Sequence, residues 1–402
     1  MQRILKSKES GLPLAGIDVA VLVGGQGTRL RGVVTDVPKP LAPVLGRPFL
    51  FYVLDLLALR GARSVVLCCG YRAEQVRSTV ETSWLGMPVH FSVESEPLGT
   101  GGCLRAARDF LKSEYVAVMN GDSWLEPDWP SLIHAAGPGI RAALALVKVD
   151  DAGRFGTVEC EGDRVVGFHE KSGSSSPGMI NAGVYLLALE MLNSLPVSPS
   201  SLERDAFPVL AGQGEVVGIV SESAFLDIGV PESYAAAGGF FSALGLTPLA
   251  MFPDKAPAGD IQVKFGTCAV VLDEAGRVLL ERRCDCGWWC LPGGRLDPGE
   301  TVAAGTIREV FEETGLQVEI TRFVGVFSDP RRRIVCYQDN GDLRHIVDAA
   351  ILARPLGGEL RPSSESLDLK WFPPAEIPSA TVPPVIEVIR AALSGGSDAL
   401  LV

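Results

Sequence analysis

From residue 17 onward the chain alternates short apolar runs with stretches whose apolar positions recur every three or four residues. Ile17–Val23, Ser64–Cys69, Tyr115–Met119, Ala142–Val149 and Ala182–Leu187 are short runs of mainly aliphatic side chains, which predicts buried strands. Pro48–Leu59, Ala73–Val80 and Gly101–Leu111 carry helical spacing. This alternation predicts a three-layer α/β unit around a mostly parallel sheet. The pattern changes at 236–261, AAGGFFSALGLTPLAMFPDKAPAGDI, which is rich in Ala, Gly and Pro and weakly periodic. A terminal helix and a linker are expected there, giving domains at 1–245 and 262–402 with 246–261 between them. Beyond it, strands at Lys264–Leu272 and Val278–Arg282 precede a Pro-Gly-Gly turn, a helix at Thr301–Thr314 and a last helix near Pro384–Leu393. That order predicts a smaller α+β sandwich.

Composition narrows the picture. The 402 residues suffice for two or three domains of roughly 150 residues. Lys+Arg is 36 and Asp+Glu is 48, a net charge of −12. Residues 1–245 hold 20 basic and 26 acidic side chains and residues 246–402 hold 16 and 22, so each half carries −6. Neither half suits nucleic acid or an anionic membrane, which need basic patches. Phosphate ligands stay open, because a few local groups hold them. The start, MQRILKSKES, lacks the apolar core of a signal peptide, and no apolar run reaches the length of a membrane span. The nine cysteines are expected to be reduced in a cytoplasmic setting.

The first predicted strand runs into Gly24-Gly25-Gln26-Gly27-Thr28-Arg29-Leu30. A Gly-rich turn after a buried strand brings backbone N–H groups close to a polyphosphate. It is neither a Walker A loop nor a dinucleotide fingerprint. Alone it reads equally well as a tight turn. Other motifs follow in order: Pro38-Lys39-Pro40, a lysine on a stiff backbone; Glu94-Ser-Glu-Pro-Leu-Gly99-Thr-Gly-Gly; Asn120-Gly121-Asp122 at a strand end, where a carboxylate suits Mg²⁺; Phe155-Gly156; Glu170-Lys171; Asn181-Ala182-Gly183; and Phe225-Leu226-Asp227.

As an ordered set, GGQGTRL, PKPLAPVLGRPFL, EPLGTGG, NGD, FGTV, EK, NAGVY and LDIGVPESY resemble the sugar-1-phosphate nucleotidyltransferase family over about residues 16–236. Val23 stands where that family usually has Ala. The resemblance implies a Rossmann-like domain that transfers a nucleoside monophosphate from an NTP to a sugar 1-phosphate and releases pyrophosphate. It implies that Gly24, Gly25, Gly27 and Thr28 cradle the triphosphate, and that Arg29 and Lys39 neutralise its charge. Asp122 and Asp227 would hold Mg²⁺, Lys171 would grip the sugar phosphate, and Gly156, Glu170 and Asn181 would read sugar hydroxyls. Glu94 and Gly99 fall at base-contacting positions. A carboxylate matches the adjacent N1–H and N2–H₂ donors of guanine, which favours GTP; uracil and thymine remain open. PKPLAPVLGRPFL with EPLGTGG most resembles heptose 1-phosphate guanylyltransferases, then mannose-1-phosphate guanylyltransferases.

In the second half, Gly294-x5-Glu300-x7-Arg308-Glu309-Val310-x-Glu312-Glu313-x-Gly315-Leu316 fits the Nudix box at every defined position. Glu309, Glu312 and Glu313 fall on one helix face; like charges that close repel unless a cation lies between them. Ala303, Ile307, Val310 and Phe311 are expected to form the buried stripe and Gly315 the helix stop. The resemblance, over about 262–395, implies hydrolysis of a nucleoside diphosphate linked to another moiety. Mg²⁺ or Mn²⁺ would sit on Glu309, Glu312, Glu313 and the Gly293 carbonyl, Arg308 would orient Glu300, and Glu365 is a further candidate carboxylate. A nucleotide sensor that does not hydrolyse is the alternative. Arg331-Arg332-Arg333 reads as a solvated loop or a phosphate clamp, and Trp288, Trp289, Phe327 and Tyr337 as core aromatics or base-stacking groups.

Overall fold

The computed structural model describes residues 11–25, 27, 29–30, 32–169, 176–249, 251–254, 259–337, 342–396 and 398–402. The first half builds a ten-stranded sheet from β1 (Asp18–Leu22), β2 (Ser64–Cys69), β3 (Ser83–Trp84), β4 (Met87–Val93), β5 (Tyr115–Asn120), β6 (Ala142–Val149), β7 (Thr157–Glu161), β8 (Arg164–His169), β9 (Gly178–Ala188) and β10 (Val216–Val220). The spatial order is β7-β8-β10-β6-β9-β5-β1-β2-β4-β3. Around β1 the neighbours β5, β2 and β4 run parallel. β9 then enters antiparallel to both β5 and β6. The sheet is therefore mixed, and the expectation of a mostly parallel one holds only for its centre. Antiparallel pairing comes from β7 and β8, too polar on one face to read as buried strands, and from β9, whose core Ala182–Leu187 the sequence does mark but whose direction it does not; β10 still runs parallel to β6.

The helix α1 (Phe49–Leu59) is apolar on all sides, with Asp55 its one charged residue, and ten of its eleven residues are buried. A helix like that must be covered on both faces. Helix α2 (Gly99–Ala106) packs on the opposite side of the sheet, where Leu104 joins a second core with Val66, Val118 and Leu144.

The second half forms a six-stranded sheet and a three-stranded one. The first contains β11 (Ile261–Val271), β14 (Gly293–Arg295), β15 (Leu316–Phe327), β16 (Ile334–Cys336), β17 (Leu343–Gly358) and β19 (Leu400–Leu401); the second contains β12 (Val278–Arg283), β13 (Trp289–Cys290) and β18 (Ser366–Phe372). Its helices are α3 (Val302–Thr314), the single turn α4 (Pro330–Arg333) and α5 (Pro383–Leu393).

The buried face of α3 is Gly305, Thr306, Val310 and Thr314. That corrects the expected stripe. Ile307 and Phe311 are 41% and 46% exposed, and Ala303 is exposed too. Small residues face inward because the helix lies close on the sheet: Thr267 and Thr306 share a hydroxyl contact of 2.5 Å, and a Cβ on Gly305 would strike Leu296.

The two halves pack together. Helix α5 lies on the outer face of α1, and Val385, Ile386 and Ile389 share one apolar cluster with Leu50, Leu54 and Leu57. Arg390 donates to the carbonyls of Ala58 (2.6 Å) and Ala62 (2.9 Å), a cation at the C-terminal end of α1, where the helix dipole favours positive charge. Arg60 donates to the Ile377 carbonyl at 2.8 Å, and Glu126 joins Arg60 to Ser379. No helix among the described residues is long and apolar enough to cross a membrane.

Candidate active sites

β1 delivers the chain to the Gly24–Gly27 turn, held by Val23 N–H donating to Cys68 O (3.0 Å) and Tyr71 N–H to Gly24 O (3.2 Å). Gly27 has φ +56°, and a Cβ there would stand 3.1 Å from Lys39 Cβ, so glycine lets the turn close over the lysine. A Cβ on Gly25 would meet open space. Gly25, Gly27, Arg29, Lys39, Asp122, Arg154 and Asp227 line a cavity of about 350 Å³.

Asp122 follows β5, and Asp227 ends a short strand whose partner residue is Ser123. The pairing puts both aspartates beside the Ser123 hydroxyl, 3.4 Å from each carboxylate. Lys39 Nζ pairs with Asp122 Oδ2 at 2.5 Å. Gly229 N–H donates to Asp227 at 2.7 Å, and a Cβ on Gly229 would collide with that carboxylate. Two carboxylates, Asp122 and Asp227, and three cations, Arg29, Lys39 and Arg154, thus face one cavity. Hard oxygen donors of this kind fit Mg²⁺.

A neighbouring cleft of about 580 Å³ shares Phe155 and Asp227 with the first and is lined by Gly156, His169, Asn181 and Glu203. Asn181 donates to Tyr185 OH (2.9 Å) and accepts from Gly183 N–H (3.0 Å), leaving each end of its amide one further bond. Tyr185 donates in turn to Glu203 (3.1 Å), which also accepts from Thr100 and Ser201. Sequence reasoning missed Glu203 and Arg154. Glu203 sits in an unremarkable LERD run, whereas Arg154 adjoins the Phe155-Gly156 pair and was findable. Thr28, Glu170 and Lys171 lie outside the described residues.

Glu94 sits just past β4. One oxygen accepts from Leu98 N–H (3.1 Å), and the other points at Gly24 and Gly70, which have no Cβ to block it. Burial raises its carboxyl above the usual range, against the Leu98 N–H. Gly99 adopts φ +71°, and a Cβ would clash with the Ser200 carbonyl, so this glycine serves packing whatever else it does.

In the second half, β14 and α3 carry the box. Thr301 caps α3 through Ala304 N–H (3.2 Å), and Gly315 ends it at φ +76°. Arg308 forks onto Glu300 at 2.8 and 2.9 Å and also reaches Glu309 and Glu312. Arg308 holds the Glu300 carboxyl down at about 2. Glu309 lies against Gly294, where a Cβ would stand 2.6 Å from its carboxylate, and Glu313 accepts from Gly293 N–H at 2.7 Å. Gly294 is therefore a steric requirement of the acidic site, whereas a Cβ on Gly293 would strike the Thr267 carbonyl of β11.

Glu312 turns outward to Arg308 instead. Among the described residues no group of three His, Cys, Asp or Glu stands close enough to hold a metal. The expected trio thus divides into an inward pair and an outward member. The donor chemistry still fits a divalent ion: burial, and after it the negative charges of Glu281, Glu309 and Glu365, push Glu313 up to about 9 against the Gly293 N–H. Glu281 was not anticipated. It is 3% exposed on β12 and accepts from Ser366 at 2.8 Å; a glutamate inside the apolar run VLLE was its signal.

Beside Gly293 and Gly294 opens a cleft of about 220 Å³ lined by Arg333, Arg344, Tyr337 and Asp348. Tyr337 carries Arg344 4.3 Å above its ring, whereas Phe327 is core and Trp289 packs edge-on to Phe372.

Comparison with known proteins finds a match for each half of the chain. The family model for nucleotidyl transferases matches residues 19–242, and that for the NUDIX domain matches residues 264–392. A D-glycero-alpha-D-manno-heptose 1-phosphate guanylyltransferase of Campylobacter jejuni is 34% identical over 215 residues, 53% of this chain and 95% of the relative. A mannose-1-phosphate guanylyltransferase of Mycobacterium tuberculosis is 35% identical over 225 residues, 54% of this chain and 62% of the relative. The crystal structure of HddC from Yersinia pseudotuberculosis complexed with GMP-PN superposes with a TM-score of 0.51 at 32% identity, covering 56% of this chain and 99% of that one. The chain belongs to the nucleotidyl transferase family and carries a NUDIX domain behind it, which makes it an enzyme of the nucleotidyltransferase and Nudix hydrolase classes.

Proposed function

We propose that the first domain transfers GMP from GTP to a sugar 1-phosphate of heptose or mannose type, giving a GDP-sugar and pyrophosphate. The observation that carries this reading is a cavity lined by Gly25, Gly27, Arg29, Lys39, Asp122 and Asp227 that adjoins, across the shared Phe155 and Asp227, the cleft lined by Gly156 and Asn181. The first space suits a triphosphate and the second a sugar. The guanylyltransferase relatives support the sugar and the base. In this reading Gly24, Gly25, Gly27 and Thr28 cradle phosphates through backbone N–H groups. Lys39 and Arg29 offset charge that builds at the α-phosphorus and the leaving pyrophosphate. Lys171 holds the sugar phosphate so that its oxygen attacks the α-phosphorus in line as the bond to pyrophosphate breaks. Gly156, Glu170 and Asn181 orient the sugar, and Glu94 with the Gly99 turn accepts the guanine donors. Asp122 and Asp227 would hold Mg²⁺, which supplies electrostatic stabilisation of the pentacoordinate phosphorus.

The second domain hydrolyses a nucleoside-diphosphate-linked compound. Glu309 and Glu313, with the Gly293 carbonyl and Glu312, would hold Mg²⁺ or Mn²⁺; Glu365 faces the same group. One observation favours the sensor alternative: Glu312 is engaged by Arg308 rather than aimed inward. Replacing Glu312 by Gln tests it. Loss of hydrolysis supports the hydrolase, and no turnover of a broad NDP-linked panel by the native chain supports the sensor. Units divided within 246–261 and a cytoplasmic setting complete the proposal.

A further inference from the structure

Successive side chains of a helical turn point in different directions, and α4 uses this. Arg331 pairs with Asp329 at 2.6 Å and reaches Glu81 at 3.4 Å. Arg332 is buried against the first domain: its guanidinium lies 4.1 Å from the Trp84 ring centroid, with Glu81 at 3.7 Å and Asp254 at 3.9 Å. Those partners are themselves fixed. Asp254 is forked by Arg47 at 2.8 and 3.0 Å, Arg47 pairs with Asp55 at 2.7 Å, and Asp55 accepts from Trp84 Nε1 at 2.8 Å. The ring of contacts joins the first domain, the connecting segment and α4.

The next residue, Arg333, faces the other way and lines the Nudix cleft at 4% exposure. It donates to Asp348 (2.7 Å) and to the Pro384 carbonyl (3.0 Å), yet its Nε is buried without an acceptor. The Nε of Arg344, in the same cleft, is also buried without one. A buried donor left unpaired is costly. Two of them in a cleft beside Gly293 and Gly294 call for a ligand rich in acceptor oxygens. Lys264 and Arg295 add positive charge to the lining, and Asp348 is its one carboxylate. That balance selects phosphate oxygens over neutral hydroxyls.

We propose that the first domain completes the substrate site of the second. Arg333 and Arg344 take phosphate oxygens of the nucleoside-diphosphate-linked substrate, and Arg332, clamped on Trp84, is a positioning residue that sets Arg333. This rests on the hydrolase reading above.

The test uses the full-length chain with Mg²⁺ and the best-turned-over member of a panel of GDP-mannose, UDP-glucose and ADP-ribose. Arg333→Gln raises the hydrolytic KM about tenfold. Arg332→Gln raises it by a similar factor, with kcat and pyrophosphate release by the first domain held at native values. Arg332→Lys, which keeps a cation over the indole, recovers most of the KM. A native KM in Arg333→Gln overturns the phosphate contact, and a native KM in Arg332→Gln overturns the positioning role. A fall in kcat and Tm without a KM change shows Arg332 to be merely structural and overturns it too. If the native chain hydrolyses no panel member, the hydrolase reading fails first and takes this inference with it.

Discussion

At the residue scale, the transferase site depends on opposite charges held close together. Lys39 is tied to Asp122 at 2.5 Å, while Asp227 is anchored by Gly229 N–H. Replacing Asp122 by Asn should lower kcat for nucleotidyl transfer by roughly 10²–10³-fold, the scale of losing one preorganised charge contact, with Tm little changed; steady-state kinetics checks both. Glu94 gives a pH prediction. Burial favours its protonated form, so its ability to accept from a base is full at high pH and lost as pH falls through the raised pKa. The KM for GTP should climb on acidification at a higher pH than an ordinary glutamate near ~4.3 would give, and Glu94→Gln should flatten that profile. Glu309, Glu313, the two aspartates and Lys39 could be singled out as candidates because motif chemistry fixes residue type and spacing; the outward turn of Glu312 onto Arg308 could not. Glu203 was not legible, because it reaches its site through tertiary packing from a segment with no motif; Arg154, beside Phe155-Gly156, and Glu281, inside VLLE, left weak signals that went unread.

At the element scale, strands β2 and β6 and the helices α1, α3 and α5 were readable to within a residue or so, since apolar runs bounded by turns leave little choice. The face of α3 was misread. Four apolar residues at helical spacing suggested a stripe, but close approach to the sheet selected Gly305, Thr306 and Thr314 for the interior. The consequence is measurable. Phe311→Ser should change stability by less than about 0.5 kcal/mol, as for an exposed site. Val310→Ala should cost about 2 kcal/mol, as for a buried aliphatic truncation. Denaturant titration distinguishes them. Helix α1 held an unread signal of the opposite kind: apolar on every side, it called for a cover on its outer face, and α5 supplies it.

At the scale of the whole molecule, the segment that reads as a linker is followed by a docked domain, not a tethered one. Of the three arginines of α4, Arg331 stays solvated, as a loop reading expects, while reaching Glu81; Arg332 packs on Trp84 of the first domain, and Arg333 lines a cleft. A cut near residue 255 would uncover α1 and strand the buried Arg390 and Arg60 donors. The intact chain is therefore expected to unfold in one calorimetric transition. The first domain alone should melt lower or aggregate, because it exposes an apolar patch that α5 normally covers. Two independent transitions in the intact chain, each matching an isolated half, would contradict the shared core.

The most direct test of the central claim is pyrophosphate release by the full-length chain with Mg²⁺, across GTP, UTP and dTTP paired with heptose and mannose 1-phosphates. The account predicts release with GTP and one of these sugar phosphates, abolished by Lys39→Met. Turnover of UTP or dTTP with none of GTP would contradict it.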